Sequence, residues 1–308
     1  AASDVYKRQQ RQKIQHRIDL INIAFLYLPR ISERFKEDYI NKGQNHIFQY
    51  NYQDRLIINM GYSYNYNSVG GSIINNTIAS NSYSIRFNFE SAGNVMYALS
   101  KAANIRKNSN GEYAILGIPY AQYLKGEFDF AKNIRIDYRN SFAFHAGVGI
   151  AVPYGNAKTI PFEKQYFSGG ANSVRGWSVR DLGPGSFAGN GNLLDQSGDI
   201  KLDASIEYRC KLFWKFQGAV FIDAGNIWTI RSYANQPGGV FKFDRFYKQI
   251  AVAYGLGLRL DLDFFILRFD GGMKAVNPAY ETRKEHFPII HPKFSRDFAF
   301  HFAVGYPF

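Results

Sequence analysis

Two histidines of the chain stand near residues that could complete a hydrolase site. His145 follows Ser141 by four residues, and His301 follows Asp297 at the same spacing. A nucleophilic serine needs its base within hydrogen-bond reach. Ser141 and His145 share one predicted β-strand, where four residues span about 13 Å, so they cannot pair directly. We therefore interpret His145 and His301 as hydrogen-bonded side chains on the inward face of their strands. We predict that the protein is not an enzyme.

The sequence gives no support for a metal site or a nucleotide site either. The chain has one cysteine, Cys210, which excludes an internal disulfide framework and a cysteine-based zinc site. The glycines near Gly169 do not lead from a strand into a helix, as a nucleotide site requires. The net charge is +12, but the lysines and arginines are dispersed rather than clustered, which argues against nucleic-acid binding. The sequence predicts no cofactor and no metal.

A glycine-rich stretch, residues 167–185, carries the most specific pattern of the chain. Its five glycines and one proline require several sharp turns. Buried-type residues alternate here with charged ones, namely Val174, Trp177 and Leu182 with Arg175, Arg180 and Asp181. This pattern predicts a folded-back loop that packs against other elements and carries charges to partners on the flanking strands.

The elements around this stretch alternate apolar and polar residues with period two, which predicts β-strands. We count ten, at about 14–28, 48–66, 83–99, 117–130, 138–152, 200–209, 218–228, 250–260, 264–274 and 298–308. The connection 153–198 contains the glycine-rich stretch. Connections of this length without a helix are usually functional or disordered, and its dense Gly, Arg and Trp content favours a functional loop.

Strand alternation also assigns side chains to faces. Glu207 and Asp223 fall on the polar face of their strands, and the hairpin 250–274 adds Arg259, Arg268 and Asp270 to its own inward face. The final strand has the clearest alternation: Phe302, Tyr306 and Phe308 share the apolar face, opposite His301 and Gly305.

The composition fits a β-barrel in a membrane. Aromatic residues make up 17% of the chain, with 27 Phe and 22 Tyr, while the mean hydropathy is only −0.30. No run approaches the ~18 apolar residues of a membrane-spanning helix. Barrel strands alternate lipid-facing apolar residues with polar residues facing the lumen, so their average hydropathy resembles that of a soluble protein. We predict an all-β, transmembrane antiparallel barrel.

The start of the chain suggests a fragment. Residues 1–9 have no apolar core and no continuity with the sequence from residue 10 onward, so we interpret them as a non-native, artefactual segment. Residues 10–308 would then be the C-terminal portion of an outer-membrane barrel with a long loop, 153–198, folded into the lumen. Because an open sheet edge is not tolerated in lipid, we expect the remaining strands in the native protein.

Three groups of motifs resemble the BamA/TamA family of outer-membrane assembly barrels, also called bacterial surface antigen. The resemblance covers residues from about 50 to 308 and includes the aromatic C-terminus. The motifs are Gly169-Gly170, Val174-Arg175-Gly176-Trp177 and Gly183-Pro184-Gly185 in the loop, Ser205-Ile206-Glu207-Tyr208, and Phe221-Ile222-Asp223-Ala224-Gly225-Asn226-Ile227-Trp228.

The resemblance implies specific roles. The family barrel has sixteen strands preceded by periplasmic domains, so this chain would hold about ten C-terminal strands. The loop would fold into the lumen, where Arg175 would contact Glu207 and Asp223. Gly305 matches a glycine at which the last strand kinks inward at a lateral gate. Phe302, Tyr306 and Phe308 resemble a C-terminal insertion signal, although a lipid-facing strand would carry the same residues.

The implied function is non-enzymatic insertion, assembly or translocation of proteins in the bacterial outer membrane. The implied partners are outer-membrane lipid, unfolded outer-membrane protein clients, and periplasmic or lipoprotein accessory subunits. The alternative is a secretion or passive pore of the two-partner secretion transporter type, because those relatives share the arginine loop and the acidic strand.

Overall fold

A computed structural model describes residues 13–26, 54–69, 81–189, 195–262 and 264–308. Twelve strands occur within these ranges: β1 (Ile14–Leu26), β2 (Arg55–Asn67), β3 (Ser82–Ala92), β4 (Ala114–Ile115), β5 (Ile118–Pro119), β6 (Tyr123–Arg135), β7 (Asn140–Pro153), β8 (Ile200–Lys211), β9 (Phe216–Trp228), β10 (Ala251–Asp261), β11 (Ile266–Val276) and β12 (Phe298–Val304). The helices are α1 (Asn94–Ala102), α2 (Arg283–His286) and α3 (Phe294–Asp297). None of the described helices is both long and apolar enough to cross a membrane.

Ten of these strands form one antiparallel sheet in the order β1-β2-β3-β6-β7-β8-β9-β10-β11-β12. The two-residue strands β4 and β5 pair with each other. Each large strand pairs with the next large strand along the chain, so alternation fixes the same two faces throughout the sheet. The predicted all-β antiparallel fold with ten strands is confirmed.

The two faces of the sheet differ in chemistry. The outer face presents exposed apolar side chains, among them Ile206, Val220, Ile222, Leu256, Phe300 and Phe302. The inner face carries buried polar and charged side chains, among them Ser205, Glu207, Arg209, Asp223, Arg259 and Asp270. A soluble protein would bury the apolar face, so this inversion is the pattern of a sheet that faces lipid on its outside.

From β3 onward, long and short connections alternate between the two ends of the sheet. The connections 93–122, 154–199, 229–250 and 277–297 lie at one end, and the turns 136–139, 212–215 and 262–265 lie at the other. The segment 154–199, between β7 and β8, is the motif loop. Barrels place long loops on the outside of the cell and short turns in the periplasm, which orients the sheet.

Two predicted strand boundaries were wrong near residue 93 and near residue 117. The strand predicted over 83–99 ends at Ala92, and α1 follows. Gly93 has φ 71°, and a Cβ on it would lie 2.2 Å from the carbonyl oxygen of Ala121, so the chain turns at a position that only glycine fits. The strand predicted over 117–130 starts at Tyr123, because the residues before it form the β4–β5 hairpin.

The last strand is shorter than the alternation predicted. β12 ends at Val304, and Gly305 has φ 89°, a left-handed conformation that turns the chain out of the strand. Tyr306 and Phe308 consequently contact inner-face residues of other strands. Their predicted position on the outer face beside Phe302 is therefore wrong. Residues 1–9 and the predicted strand start at 48–53 lie outside the described ranges.

Candidate functional site

The glycine-rich part of the motif loop folds back on itself. Gly170 N–H donates to Trp177 O at 2.8 Å, and Arg180 N–H donates to Ser168 O at 3.1 Å. Gly169 lies inside this fold with φ 92°, and a Cβ on it would lie 2.2 Å from Ser178 O. No other residue type fits there, which explains the first glycine pair of the motif.

The second glycine group fastens the loop to β9. Gly185 N–H donates to Ile227 O at 2.8 Å, and the Asn226 side-chain amide donates to Gly185 O at 2.8 Å. A Cβ on Gly183 would lie 2.4 Å from Asn226 Oδ1, so the close approach requires glycine. Pro184 lies between these two glycines and faces Gly239 of the next long connection.

The apolar side chains of the loop pack on β10. They form one buried cluster, consisting of Val174, Trp177, Leu182, Ala251 and Ala253. A Cβ on Gly176 would lie 2.8 Å from the Ala253 Cβ, so small residues on both sides allow the loop backbone to approach the sheet. The predicted packing of the three large loop residues is confirmed, and their partners are alanines.

Arg175 is the most constrained residue of the loop, with 1% of its surface exposed. Its guanidinium binds Asp223 with two parallel hydrogen bonds, Nε to Oδ2 at 2.8 Å and Nη2 to Oδ1 at 2.9 Å. Nη1 donates to Glu207 Oε2 at 2.6 Å. The plane also lies 3.5 Å from the ring centroid of Phe221. The structure thus brings together all three residues that the family resemblance joined, in the bidentate geometry that arginine favours.

The ion pairs extend beyond these three residues. Glu207 also binds Arg209 at 2.6 Å and Arg259 at 2.8 Å, and Asp270 lies 3.2–3.4 Å from Arg175, Arg259 and Arg268. We call this set the arginine network: Arg175, Arg209, Arg259, Arg268, Glu207, Asp223 and Asp270 are its members, and each is at most 1% exposed. It joins the loop to β8, β9, β10 and β11.

A second contact anchors the same loop at β3 and β6, on the same inner face but away from the arginine network. Lys164 Nζ lies 2.7 Å from Glu90 Oε1 on β3, and Tyr123 OH donates to the same oxygen at 2.5 Å. Lys125 of β6 donates to Lys164 O at 3.1 Å. Sequence reasoning missed Lys164, because an isolated lysine in a loop carries no signal of its partner. The loop is therefore held at two separated places on the inner face.

The histidines considered for catalysis have other partners. His301 Nε2 donates to the backbone oxygen of Arg175 at 3.0 Å. His145 lies 3.3 Å from both Asp129 and Asp203, on the strands either side of its own. These contacts give both rings a positioning role on the inner face.

The predicted residues of the last strand separate into two groups. Phe302 stays on the outer face, 59% exposed, with its ring 5.3 Å from that of Phe269. After Gly305, the rings of Tyr306 and Phe308 lie 4.4 and 5.4 Å from the Arg209 guanidinium. The aromatic C-terminus is therefore divided between the lipid face and the arginine network.

An antiparallel sheet with a lipid-facing outside, a charged inside and a loop docked on that inside defines an outer-membrane β-barrel protein. The Omp85 superfamily domain matches residues 29–308, and the chain therefore belongs to the Omp85 superfamily. Its location is the bacterial outer membrane. The predicted resemblance to BamA/TamA-type barrels is confirmed.

Individual relatives share smaller parts of their length with the chain. Outer membrane protein assembly factor BamA of Neisseria meningitidis serogroup B (strain ATCC BAA-335 / MC58) is 35% identical over 95 residues, which cover 28% of this chain and 11% of that protein. Among solved structures, BamA from Haemophilus ducreyi lacking POTRA domains 1-3 has a TM-score of 0.42 at 15% identity, covering 82% of this chain and 55% of its own. CdiB from Acinetobacter baumannii has a TM-score of 0.29 at 12% identity, and the match covers 80% of this chain and 50% of that one. The chain thus spans about half the length of these two structures.

Proposed function

We propose that the protein is a non-enzymatic barrel that inserts and assembles other outer-membrane proteins. Membership in the Omp85 superfamily supports the proposal, and the Neisseria relative bears the name of an assembly factor. The observation that carries it is the buried pairing of Arg175 with Glu207 and Asp223, which fixes a long loop on the inner wall. A secretion transporter of the two-partner type would carry the same loop, so the experiment below is chosen to separate the two functions.

The mechanism we propose uses the edge of the sheet. Among the described strands, β12 pairs with β11 alone, and it has seven residues where its neighbour has eleven. Lipid offers no hydrogen bonds to the backbone, so an incoming client strand gains them by pairing with an open edge. A short last strand that ends at Val304, just before the turn at Gly305, would give a weak seam, which would open laterally and thin the adjacent bilayer.

The motif loop would keep the rest of the wall in register during opening. The arginine network ties the loop to four consecutive strands, β8 to β11, so this half of the wall would move as one body while the seam opens. The partners in this proposal are outer-membrane lipid, unfolded barrel proteins, and periplasmic or lipoprotein accessory subunits that deliver them.

Depletion of the gene in its own host tests this proposal. We expect the folded amounts of many other outer-membrane barrels to fall together, measured by quantitative proteomics of outer-membrane fractions. A depletion that leaves those barrels at normal levels, but removes one secreted protein from the medium, would contradict the proposal and indicate a secretion pore. Re-expression of the full-length protein is the control.

A further inference from the structure

The last residues of the chain lie in a defined place on the inner face. Gly305 N–H donates to Ile266 O at 2.8 Å, which holds the turn against β11. Beyond it, Tyr306 OH donates to Gln217 Oε1 on β9 at 3.0 Å. These two hydrogen bonds hold the tail against the inner face.

Three inner-face residues from three adjacent strands receive the two aromatic rings. His145 of β7 stacks on Phe308, with centroids 5.2 Å apart and planes at 17°. The Arg209 guanidinium of β8 lies 4.4 Å from the Tyr306 ring centroid, a distance at which cation–π attraction is strong. Arg209 is 1% exposed and Gln217 is 4% exposed, so the polar groups that meet the tail are buried. We call His145, Arg209 and Gln217 the tail seat.

The tail seat and the motif loop share one carboxylate. Arg209 Nε binds Glu207 Oε1 at 2.6 Å, and Arg175 Nη1 binds Glu207 Oε2 at 2.6 Å. The Nη2 atom of Arg209 has no hydrogen-bond acceptor among the described residues, and both tail rings lie against the same guanidinium. An Arg209 released from the rings would hold Glu207 less firmly.

We propose that the tail seat is an intramolecular binding site for a C-terminal segment with two aromatic residues, and that its occupancy helps to hold Arg175 in the arginine network. Arg209 is the positioning residue that links the two. The chemistry that the seat selects is an aromatic hydroxyl for Gln217 and aromatic faces for Arg209 and His145. The coupling goes beyond the assembly role, since it requires no client.

The coupling is tested by the accessibility of the loop when the tail is changed. In the protein in lipid vesicles, Cys210→Ser removes the one cysteine of residues 1–308, any cysteine outside them is likewise changed to serine, and Val174→Cys places a thiol at a position with 0% exposure beside Arg175. We expect Tyr306→Ala with Phe308→Ala to speed maleimide labelling of that thiol by at least about fivefold, the lower end of typical coupling between sites. Phe302→Ala is the matched control, because it removes an aromatic ring of the same strand from the outer face.

Conservative variants separate this coupling from general loss of structure. Phe308→Tyr keeps both rings and the Tyr306 hydroxyl, so it should label as slowly as the parent, whereas Tyr306→Phe should label faster than the parent and slower than the double alanine variant because it loses only the bond to Gln217. Heat-modifiable gel migration confirms folding of each variant. Where the double alanine variant does not fold, the single change Phe308→Leu replaces it. Unchanged labelling in a folded variant that lacks a tail ring, or equal acceleration by Phe302→Ala, would overturn the proposal.

Linkage requires the reverse effect as well. In the Cys210→Ser background, Pro307→Cys places a thiol between the two tail rings, and we expect Arg175→Ala to speed maleimide labelling of that thiol, because a weakened network leaves Arg209 and the tail less constrained. Arg245→Ala is the control, since that arginine is exposed and pairs with its neighbour Asp244. Labelling at the parent rate in folded Arg175→Ala would contradict the coupling.

Discussion

Gly272 of β11 faces the backbone of Arg175 so closely that a Cβ on Gly272 would lie 2.0 Å from the Arg175 oxygen. A methyl group cannot enter unless the motif loop moves. We expect Gly272→Ala to lower the free energy of unfolding by about 1–3 kcal/mol. Urea unfolding in lipid vesicles measures this. Gly126→Ala is the control, because a Cβ there would meet no described atom within 4 Å; an equal loss in both variants would contradict the packing argument.

Trp177 should contribute more to stability than any exposed tryptophan. It is 3% exposed in the cluster with Ala251 and Ala253, and its removal would leave a cavity between the loop and β10. We expect Trp177→Ala to cost about 3–5 kcal/mol. Trp214→Ala, at a residue 76% exposed, should change the unfolding free energy little. Similar losses in the two variants would show that the loop does not rely on this cluster.

The Lys164 contact predicts a second, weaker point of attachment. We expect Lys164→Met to cost about 1.5–3 kcal/mol, because Glu90 loses a charged hydrogen-bond partner. The control is Lys201→Met, whose amine has nearly the same exposure, 26% against 24%, but pairs with Asp203 on its own strand. The measurement is the rate at which protease cleaves the loop in intact vesicles. This rate should rise in Lys164→Met and not in Lys201→Met. Cleavage as slow as in the control would argue against anchoring by Lys164.

We expect Asp199 to make the stability of the folded protein depend on pH. It ends the motif loop, just before β8, and burial raises the pKa of its carboxyl to about 6, against the opposing effects of the Ile230 N–H and the Arg231 charge. The folded protein therefore favours the protonated acid. The contribution of the protonated Asp199 carboxyl to the free energy of unfolding is complete below about pH 4 and is lost as the pH rises through 6.

The change should reach about 2–3 kcal/mol between pH 4 and pH 7. Asp199→Asn should abolish this part of the pH dependence, as seen in unfolding midpoints measured across that range. Asp244→Asn, in a side chain 69% exposed, serves as the control. A profile of Asp199→Asn that still falls by the same amount as the parent's would exclude Asp199 as the source.

The inner-face residues were predictable, because a strand's side chains alternate with period two whatever their partners. Glu207, Asp223 and Asp270 are therefore found where alternation assigned them. Alternation does not predict where a strand ends. β12 stops at Val304 because Gly305 adopts a left-handed conformation, and the tail then finds Arg209 and Gln217, which are about a hundred residues away in sequence.

The loop shows the same division between local and long-range information. Its glycines and its buried-type residues predicted a folded-back, packed conformation. The pairing of Lys164 with Glu90 could not be predicted, since two oppositely charged residues 74 positions apart carry no mutual signal. Arg175 was assigned its partners only through family resemblance, and Arg209, Arg259 and Asp270 joined them only in the structure.

Our central claim is that assembly depends on the buried position of Arg175. The most direct measurement is the folded amount of other outer-membrane barrels in cells whose sole copy of the gene carries Arg175→Ala, Arg175→Lys or the control Arg245→Ala. Removing the guanidinium leaves the buried Asp223 without its charged partner at a cost of about 3–5 kcal/mol, and lysine cannot restore the two-pronged contact with Asp223.

Amounts must be normalised to the folded fraction of the variant itself. We predict that client barrels fall in both Arg175 variants and stay at parent levels with Arg245→Ala. Normal client levels at normal abundance of folded Arg175→Ala protein would contradict the claim.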